Sequence, residues 1–286
     1  FPAMTQTDAN TLSTFGETRR QFIKDYLGDS VTGAARKQML TVTIESLRKI
    51  LANDTLHPSA RVNAVVLLSW LTDRPADRAS GQTPIASAQA FDTLLAIFNS
   101  NNETNFPQYL KIASLTGIKH HVQIKTAAGG QIDEAARGAL VAKLNTIIDA
   151  ESDASQTPAE YWMKRQAIQL TGLIGDAKSM AAIVKVLADG NSSLAIQLDA
   201  LKSIKQLSGQ NATPQRNSEA LAEVCKFAST AVSQEAENIE AAIEKLVYEN
   251  ILYGNQDLRA TGQDFRGNPA AKTGPANLTA ATGGGG

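Results

Sequence analysis

The chain has 286 residues and a formal net charge of -1, and 43% of its residues are hydrophobic but only 5% aromatic. This length supplies enough apolar residues for one extended or two compact domains, and few aromatics with many Ala, Leu and Ile favour helix-on-helix packing over a β-sandwich. The balanced charge argues against a general nucleic-acid binder, and the single cysteine, Cys225, excludes an intramolecular disulfide and a thiolate metal cluster.

The N-terminal part, residues 1–33, is predicted to be a lead-in followed by a capping helix. Residues 1–16 are rich in Thr and show no periodic pattern, so we expect them to be extended. Residues 17–27 form a short helix, and Gly28 is placed to end it. Its apolar side chains would cover the open end of a helical stack; they are Phe22, Ile23, Tyr26 and Leu27.

Pairs of amphipathic helices then alternate with polar loops. The predicted pairs are 33–52 with 58–73, 88–100 with 107–122, 134–150 with 158–174, 177–188 with 193–207, and 218–232 with 235–252. Residues 73–87 read as a Pro/Gly/Ser loop. Residues 157–160 form a capping box, and Gly175-Asp176 closes one helix and caps the next.

Each helix carries an apolar stripe at helical spacing. The stripes are Leu40, Ile44, Leu47 and Leu51; Ala64, Leu67, Leu68 and Leu71; Phe91, Leu94, Leu95 and Phe98; Ala167, Leu170, Thr171 and Ile174; and Ala200, Ser203, Ile204 and Leu207. No helix could bury its stripe without neighbours. The sequence therefore predicts an all-α stacked helical repeat of about ten helices over residues 34–254, with no sheet.

The second helices of the pairs share two features. Pro58, Pro107 and Pro158 open three of them, about 50 residues apart, which is a spacing typical of helix-pair repeats. Small residues fall near the middle of four, where helices are expected to approach closely: Ala64, Ala113, Ala167 and Ala200. Beyond Tyr253 the composition shifts to Gly, Pro, Ala and Thr, so residues 255–286 are predicted to be a flexible tail.

The stretches ARVNAVVLLSWLTD and LTGLIGDAKSMAAIVKVLADGNSSLAIQLDALKSIKQLSG resemble HEAT repeats of the short bacterial type also seen in bilin-lyase-like proteins. Arg61 and, loosely, Lys164 match the family's Arg before the central Ala, and Gly175-Asp176 matches its turn. Gln197 and Leu110 depart from the Arg position. The resemblance implies a right-handed α-α superhelix of about five hairpins, which is an armadillo-like solenoid. It also implies that the chain binds other proteins.

The residue types that carry chemistry form no recognisable catalytic, cofactor or metal motif. His120 and His121 are adjacent, so they point about 100° apart on a helix, unlike a metal-binding i, i+4 pair, and we interpret them as a polar helix end. His57 precedes Pro58 and is predicted to lie in a turn. No phosphate-binding loop, nucleophile motif or haem attachment motif is present, and no small-molecule substrate is evident.

Three further side chains have alternative interpretations. Cys225, in LAEVCKFAS, is expected to be a small buried hydrophobic residue. Trp70 and Trp162 could be binding anchors, although amphipathic positions at repeat junctions are the favoured interpretation.

The sequence has no apolar run long enough to cross a membrane, and its first residue, Phe1, leaves the location open between the cytoplasm and export after removal of a signal peptide.

Opposite the core stripes, the second helices place polar side chains that would line the concave surface of a HEAT-like stack. We call this set the basic row: Ser69, Lys111, Arg165, Gln169, Lys202 and Lys205. Either it is a solvated helix face, or it binds an acidic protein segment in preference to duplex DNA, because it is short and poor in aromatics.

The predicted function is a non-catalytic protein-binding scaffold or adaptor, which would suit an accessory subunit of a larger assembly. Two alternatives remain. One is an enzyme of HEAT type, bilin-lyase-like or DNA-glycosylase-like; the other is a nucleic-acid-binding solenoid.

Overall fold

The computed structural model describes residues 9–28, 31, 33–77, 80–150, 157–210 and 214–234, and most of them are helical, as predicted. The helices in this part of the chain are α1 Ala9–Leu27, α2 Gly33–Ala52, α3 Pro58–Trp70, α4 Ala88–Asn99, α5 Gln108–Ala127, α6 Glu134–Asp149, α7 Pro158–Ile174, α8 Met180–Ala188, α9 Leu194–Gln210 and α10 Pro214–Gln234. A 3₁₀ turn, Ala177–Ser179, leads into α8. The predicted helix 235–252 and the predicted tail 255–286 lie outside the described residues.

The boundaries of α7 follow the predicted capping chemistry. The Thr157 N–H donates to Glu160 Oε2 at 2.8 Å, and the Glu160 N–H donates to Thr157 Oγ1 at 3.2 Å, which is the reciprocal pair of a capping box. Gly175 follows the helix with φ 75°, a left-handed conformation that glycine adopts without a Cβ clash. The Lys178 N–H donates to Asp176 Oδ1 at 2.8 Å, so this turn also caps the following segment.

Four helices are longer than predicted. α9 continues to Gln210 and α10 spans Pro214–Gln234, beyond the predicted 193–207 and 218–232, and α1 and α5 are each extended at one end. α1 begins at Ala9, inside the segment expected to be extended, because the buried Phe15 continues its apolar side. α5 does not end at the histidines but continues through the buried Val122 to Ala127. Its end is set by Gly129, at φ 72°.

A short β-ribbon interrupts the helices, so the prediction of no sheet is wrong at this point. β1 (Thr72–Arg74) pairs antiparallel with β2 (Ile85–Ala86), and an isolated bridge joins Asp77 to Gln82. Leu71, predicted to be helical, is buried in extended conformation, and its carbonyl accepts from the Ser87 N–H at 3.1 Å. Strands of two or three residues are too short to show the alternating apolar and polar pattern from which a strand is predicted.

Contacts divide the chain into two compact units, residues 1–147 with 155–174 and residues 148–154 with 175–286. In the first unit α5 is central and packs against α3, α4, α7 and β2, while α2 packs against α3. In the second unit α8 packs against α9 and α10.

Most of the predicted stripes are buried. All four members of the α2 stripe and of the α9 stripe are buried. The stripe of α3, which ends at the C-cap residue Leu71, is also buried in full. Leu95 on α4 and Ile174 on α7 are half-buried, and Ile97 takes the place of Leu95 in the core. The predicted apolar side of α1 is less buried than expected, since Leu27 is buried but Tyr26 is 51% exposed.

α5 approaches α3 and α4 closely where it crosses them. Ala64, Ala167 and Ala200 are buried as predicted, but Ala113 is only half-buried, so the prediction that Ala113 lies at a close helix approach is wrong. The contact is made instead by the buried Gly117. A Cβ placed there would lie 3.0 Å from the Ser69 Cβ of α3 and 3.1 Å and 3.2 Å from the Leu94 methyl groups of α4.

This crossing predicts opposite effects for one substitution at two helical glycines. Gly138→Ala in α6 should raise the free energy of unfolding by about 0.5–1 kcal/mol, because the exposed site is open and alanine favours helix. Gly117→Ala should lower it, because the Ser69 and Leu94 side chains would have to move. Urea unfolding of the two variants measures the difference. An equal gain at both positions would show that α5 does not approach α3 and α4 this closely.

Candidate functional site

Ser69, the first member of the basic row, lies inside the helix packing and not on a surface. It is 8% exposed, its Oγ donates to the Val66 carbonyl at 2.6 Å, and its Cβ faces Gly117. The prediction that Ser69 projects from α3 is therefore wrong. A serine is small enough to fill an interhelical contact while its hydroxyl bonds to its own helix.

The other members of the row are dispersed. Lys111 is half-buried and forms an ion pair with Glu103. Gln169 is half-buried, and its Oε1 accepts from Lys119 Nζ at 2.6 Å, which links α7 to α5. Lys202 and Lys205 are exposed on α9, in the second unit.

Arg165 is the member of the row with a distinctive surrounding. Its guanidinium carbon lies 5.9 Å from the centre of the Tyr161 ring and 5.4 Å from the centre of the Trp162 ring. Trp162 is 48% exposed. We call Tyr161, Trp162 and Arg165 the α7 aromatic cluster, and it is our candidate functional site.

Helical spacing explains this cluster. Arg165 is three residues after Trp162 and four after Tyr161, so the three side chains are neighbours on the helix surface. The buried residues of α7 include Ala167, Leu170 and Thr171, and α7 packs against α5. Stacking of the cation on two π-faces restricts the rotamers of all three side chains before any partner is present.

Tyr161 is the residue that sequence reasoning missed. The sequence indicates Trp162 as a possible anchor and Arg165 as part of the basic row, without connecting the two. The i, i+3 and i, i+4 spacing of these three residues was the signal that could have joined them.

Trp70 agrees with its favoured interpretation as an amphipathic residue at a helix junction, whereas Cys225 differs from its prediction. Trp70 is half-buried, and the guanidinium carbon of Arg19 lies 5.2 Å from its ring centre, so it joins α3 to α1 and is not a free anchor. Cys225 is exposed on α10, whose buried side chains include Ala220, Val224 and Phe227. The expectation of a buried cysteine is wrong because it sits one residue past the α10 stripe.

Among the described residues there is no group of three or more His, Cys, Asp or Glu side chains that could hold a metal ion. None of the helices in the same ranges combines the length and apolarity needed to span a bilayer. No protein-family model matches the chain, and neither curated proteins nor solved structures show significant similarity to it.

His57 and His121 each form a hydrogen bond that supports the fold. His57 is the N-cap of α3, and its Nδ1 accepts from the Ser59 N–H at 3.2 Å. His121 is not a polar helix end but is fully buried, with Nε2 3.1 Å from the Leu68 carbonyl, which fixes Nε2–H as the donor. Burial lowers the pKa of His121 to about 4, and the nearby His120 and Lys125 act in the same direction.

His121 predicts a loss of stability in mild acid. The unfolded side chain binds its proton near pH 6.5, whereas the folded one does so only near its pKa of about 4. Between these values the unfolded state holds more protons, so the free energy of unfolding falls as the pH falls, by at most about 1.4 kcal/mol per pH unit.

Urea unfolding between pH 7 and pH 4 measures this slope. His121→Gln should reduce it, although the variant is less stable throughout. If His121→Gln and the parent protein lose stability in parallel, the ring of His121 is not buried in its neutral form.

Proposed function

We propose that this chain is a non-catalytic protein-binding scaffold whose contact surface in the first unit is centred on the α7 aromatic cluster. The observation that carries the proposal is the exposed Trp162, stacked with Arg165 beside Tyr161 on a helix anchored by its opposite side. Trp, Tyr and Arg are the residues most enriched among those that dominate protein interfaces.

The chemistry of the cluster defines the partner that we propose. An exposed indole supplies apolar area at a low cost in side-chain entropy, because it has few rotatable bonds and its neighbour already restrains it. The guanidinium lies over the two rings, and its positive charge favours a carboxylate on the partner. An acidic segment with an apolar side chain next to its Asp or Glu matches both features.

We also propose that the helix pairs belong to a HEAT-like solenoid. Support comes from a repeated contact at the start of the second helices. In α3, Arg61 Nη2 donates to the Leu51 carbonyl near the end of α2 at 2.8 Å. In α9, Gln197 Nε2 donates to the Leu187 carbonyl near the end of α8 at 3.3 Å. Gln197, which departs from the Arg pattern in sequence, thus makes the same kind of contact.

The enzyme and nucleic-acid alternatives make different demands on the same protein. An enzyme would turn over a small substrate without a protein partner, and a nucleic-acid binder would show affinity that falls steeply with salt. The α7 aromatic cluster favours the scaffold, since its centre is one tryptophan and one arginine and not an extended basic surface.

The test has two stages. Affinity capture from the native source first identifies a partner, which is then purified and titrated against variants by calorimetry. Trp162→Ala and Arg165→Glu should each weaken its binding by about tenfold or more, because hot-spot side chains contribute on the order of 2 kcal/mol. Trp162 is exposed and Arg165 is half-buried, and neither belongs to the buried side of α7, so the helical circular dichroism spectrum should be unchanged.

Two controls make the result specific. Trp70→Phe alters the other tryptophan, and Lys202→Glu with Lys205→Glu reverses the basic-row charges of the second unit. Neither should change the affinity. A partner whose binding is insensitive to Trp162→Ala and Arg165→Glu but lost with the lysine reversals would place the working surface on α9 and refute this proposal.

A further inference from the structure

A cleft of about 820 Å³ lies in the first unit, where the N-terminal ends of α2 and α4 meet the β-ribbon. Gly33, Arg36 and Lys37 line it from α2, and Ser87, Ala88 and Gln89 line it from the start of α4. Its volume is within the range of small-molecule sites. Each helix N-terminus adds partial positive charge, which favours an anion.

Two polar groups in the lining residues are buried without a hydrogen-bond partner among the described residues. Ser87 is 1% exposed, and its Oγ neither caps α4 nor bonds to another group. The Nε of Arg74 in β1 is likewise unsatisfied, while its Nη2 donates to the Thr83 carbonyl at 3.3 Å. A buried polar atom without a partner is costly, so such atoms in a cleft point to a ligand.

The other charged groups of the cleft are largely committed to the fold. Arg36 is buried and donates to the carbonyls of Leu27 and Thr72 and to that of Asp73 at 3.1 Å. Asp73 Oδ2 accepts from the Ala88 N–H at 3.3 Å, and Asp77 Oδ2 accepts from Ser80 Oγ at 2.6 Å. Lys37 is exposed and has no ion-pair partner within the described ranges.

We propose that this cleft binds a small organic oxyanion, a carboxylate or a phosphate monoester. Its charged oxygens bond to Lys37, Arg74 Nε and Ser87 Oγ, and its apolar part lies against Leu40 and Pro75. The groups with spare capacity are two cationic donors and a hydroxyl, which together match an acceptor-rich anion. The site does not depend on the α7 aromatic cluster and adds ligand binding to the proposed scaffold function.

Titration of the full chain with benzoate, phenyl phosphate and the uncharged benzyl alcohol tests the site. Binding is followed by calorimetry and by the amide nuclear magnetic resonance signals of Arg74, Ser87 and Gln89. We expect at least one anion to bind and to shift these three signals, and benzyl alcohol to bind much more weakly. Benzoate alone would identify a carboxylate site, and phenyl phosphate alone a phosphate site.

Variants separate this cleft from other surfaces. Lys37→Gln and Ser87→Ala should each weaken the bound anion by about tenfold, as expected for loss of one hydrogen bond to a charged group. Ser87→Ala removes no hydrogen bond of the fold, so its melting temperature should match that of the parent. Lys49→Gln, an exposed lysine of the same helix away from the cleft, should leave the affinity unchanged. No binding by either anion, or binding that all three variants leave intact, would overturn the proposal.

Discussion

The first unit depends on one recurring interaction, in which a side chain of one helix satisfies the C-terminal carbonyls of another. A helix that ends inside a protein leaves its last carbonyls without partners, and the negative end of its dipole favours a cation there. Arg61, 3% exposed, donates to the Leu51 carbonyl of α2 and to the Asn105 carbonyl of the loop before α5. Arg36 does the same for Leu27 of α1, and Lys143 Nζ donates to the Phe98 carbonyl of α4 at 2.7 Å. The contacts of Arg61 and Arg36 fix where α3 and α2 begin relative to the ends of α2 and α1, and that of Lys143 joins the middle of α6 to the end of α4.

With the helix ends fixed in this way, the small residues in the middle determine how closely the helices pack. Gly117 lets α5 approach α3 and α4, and the hydroxyl of Ser69 bonds to its own helix, so a polar residue is accepted in the contact. α5 thereby becomes the helix on which α7 is supported, and the bond between Lys119 and Gln169 adds a polar link between the two. A helix held on its inner side can present Trp162 and Arg165 in restrained conformations, which is what a preorganised binding surface requires.

Sequence reasoning predicted the features that are local in the chain. The stripes of α2 and α9, the capping box at Thr157 and the turn at Gly175 follow from periodicity and capping chemistry within a few residues. It fails where a side chain meets a distant segment. The sequence around His121 indicates a polar helix end, because the partner of this side chain, the Leu68 carbonyl, is 53 positions away in the chain. The cleft is of the same kind, since its lining comes from two helices and a ribbon whose strands were too short to predict. For the candidate site, the sequence supplied Arg165 and Trp162 separately, and only the structure joined them.

The most direct test of the role of these buried caps is the stability of Arg61→Met. Methionine keeps most of the apolar stem but leaves the Leu51 and Asn105 carbonyls without their donor, so the free energy of unfolding in urea should fall by roughly 2–4 kcal/mol. The matched control is Arg20→Met, where an arginine whose side chain is 67% exposed loses only a surface pair with Glu17 and should change stability by no more than about 0.5 kcal/mol. A loss for Arg61→Met as small as that of Arg20→Met would contradict the account, because the helix ends would then be held by packing alone.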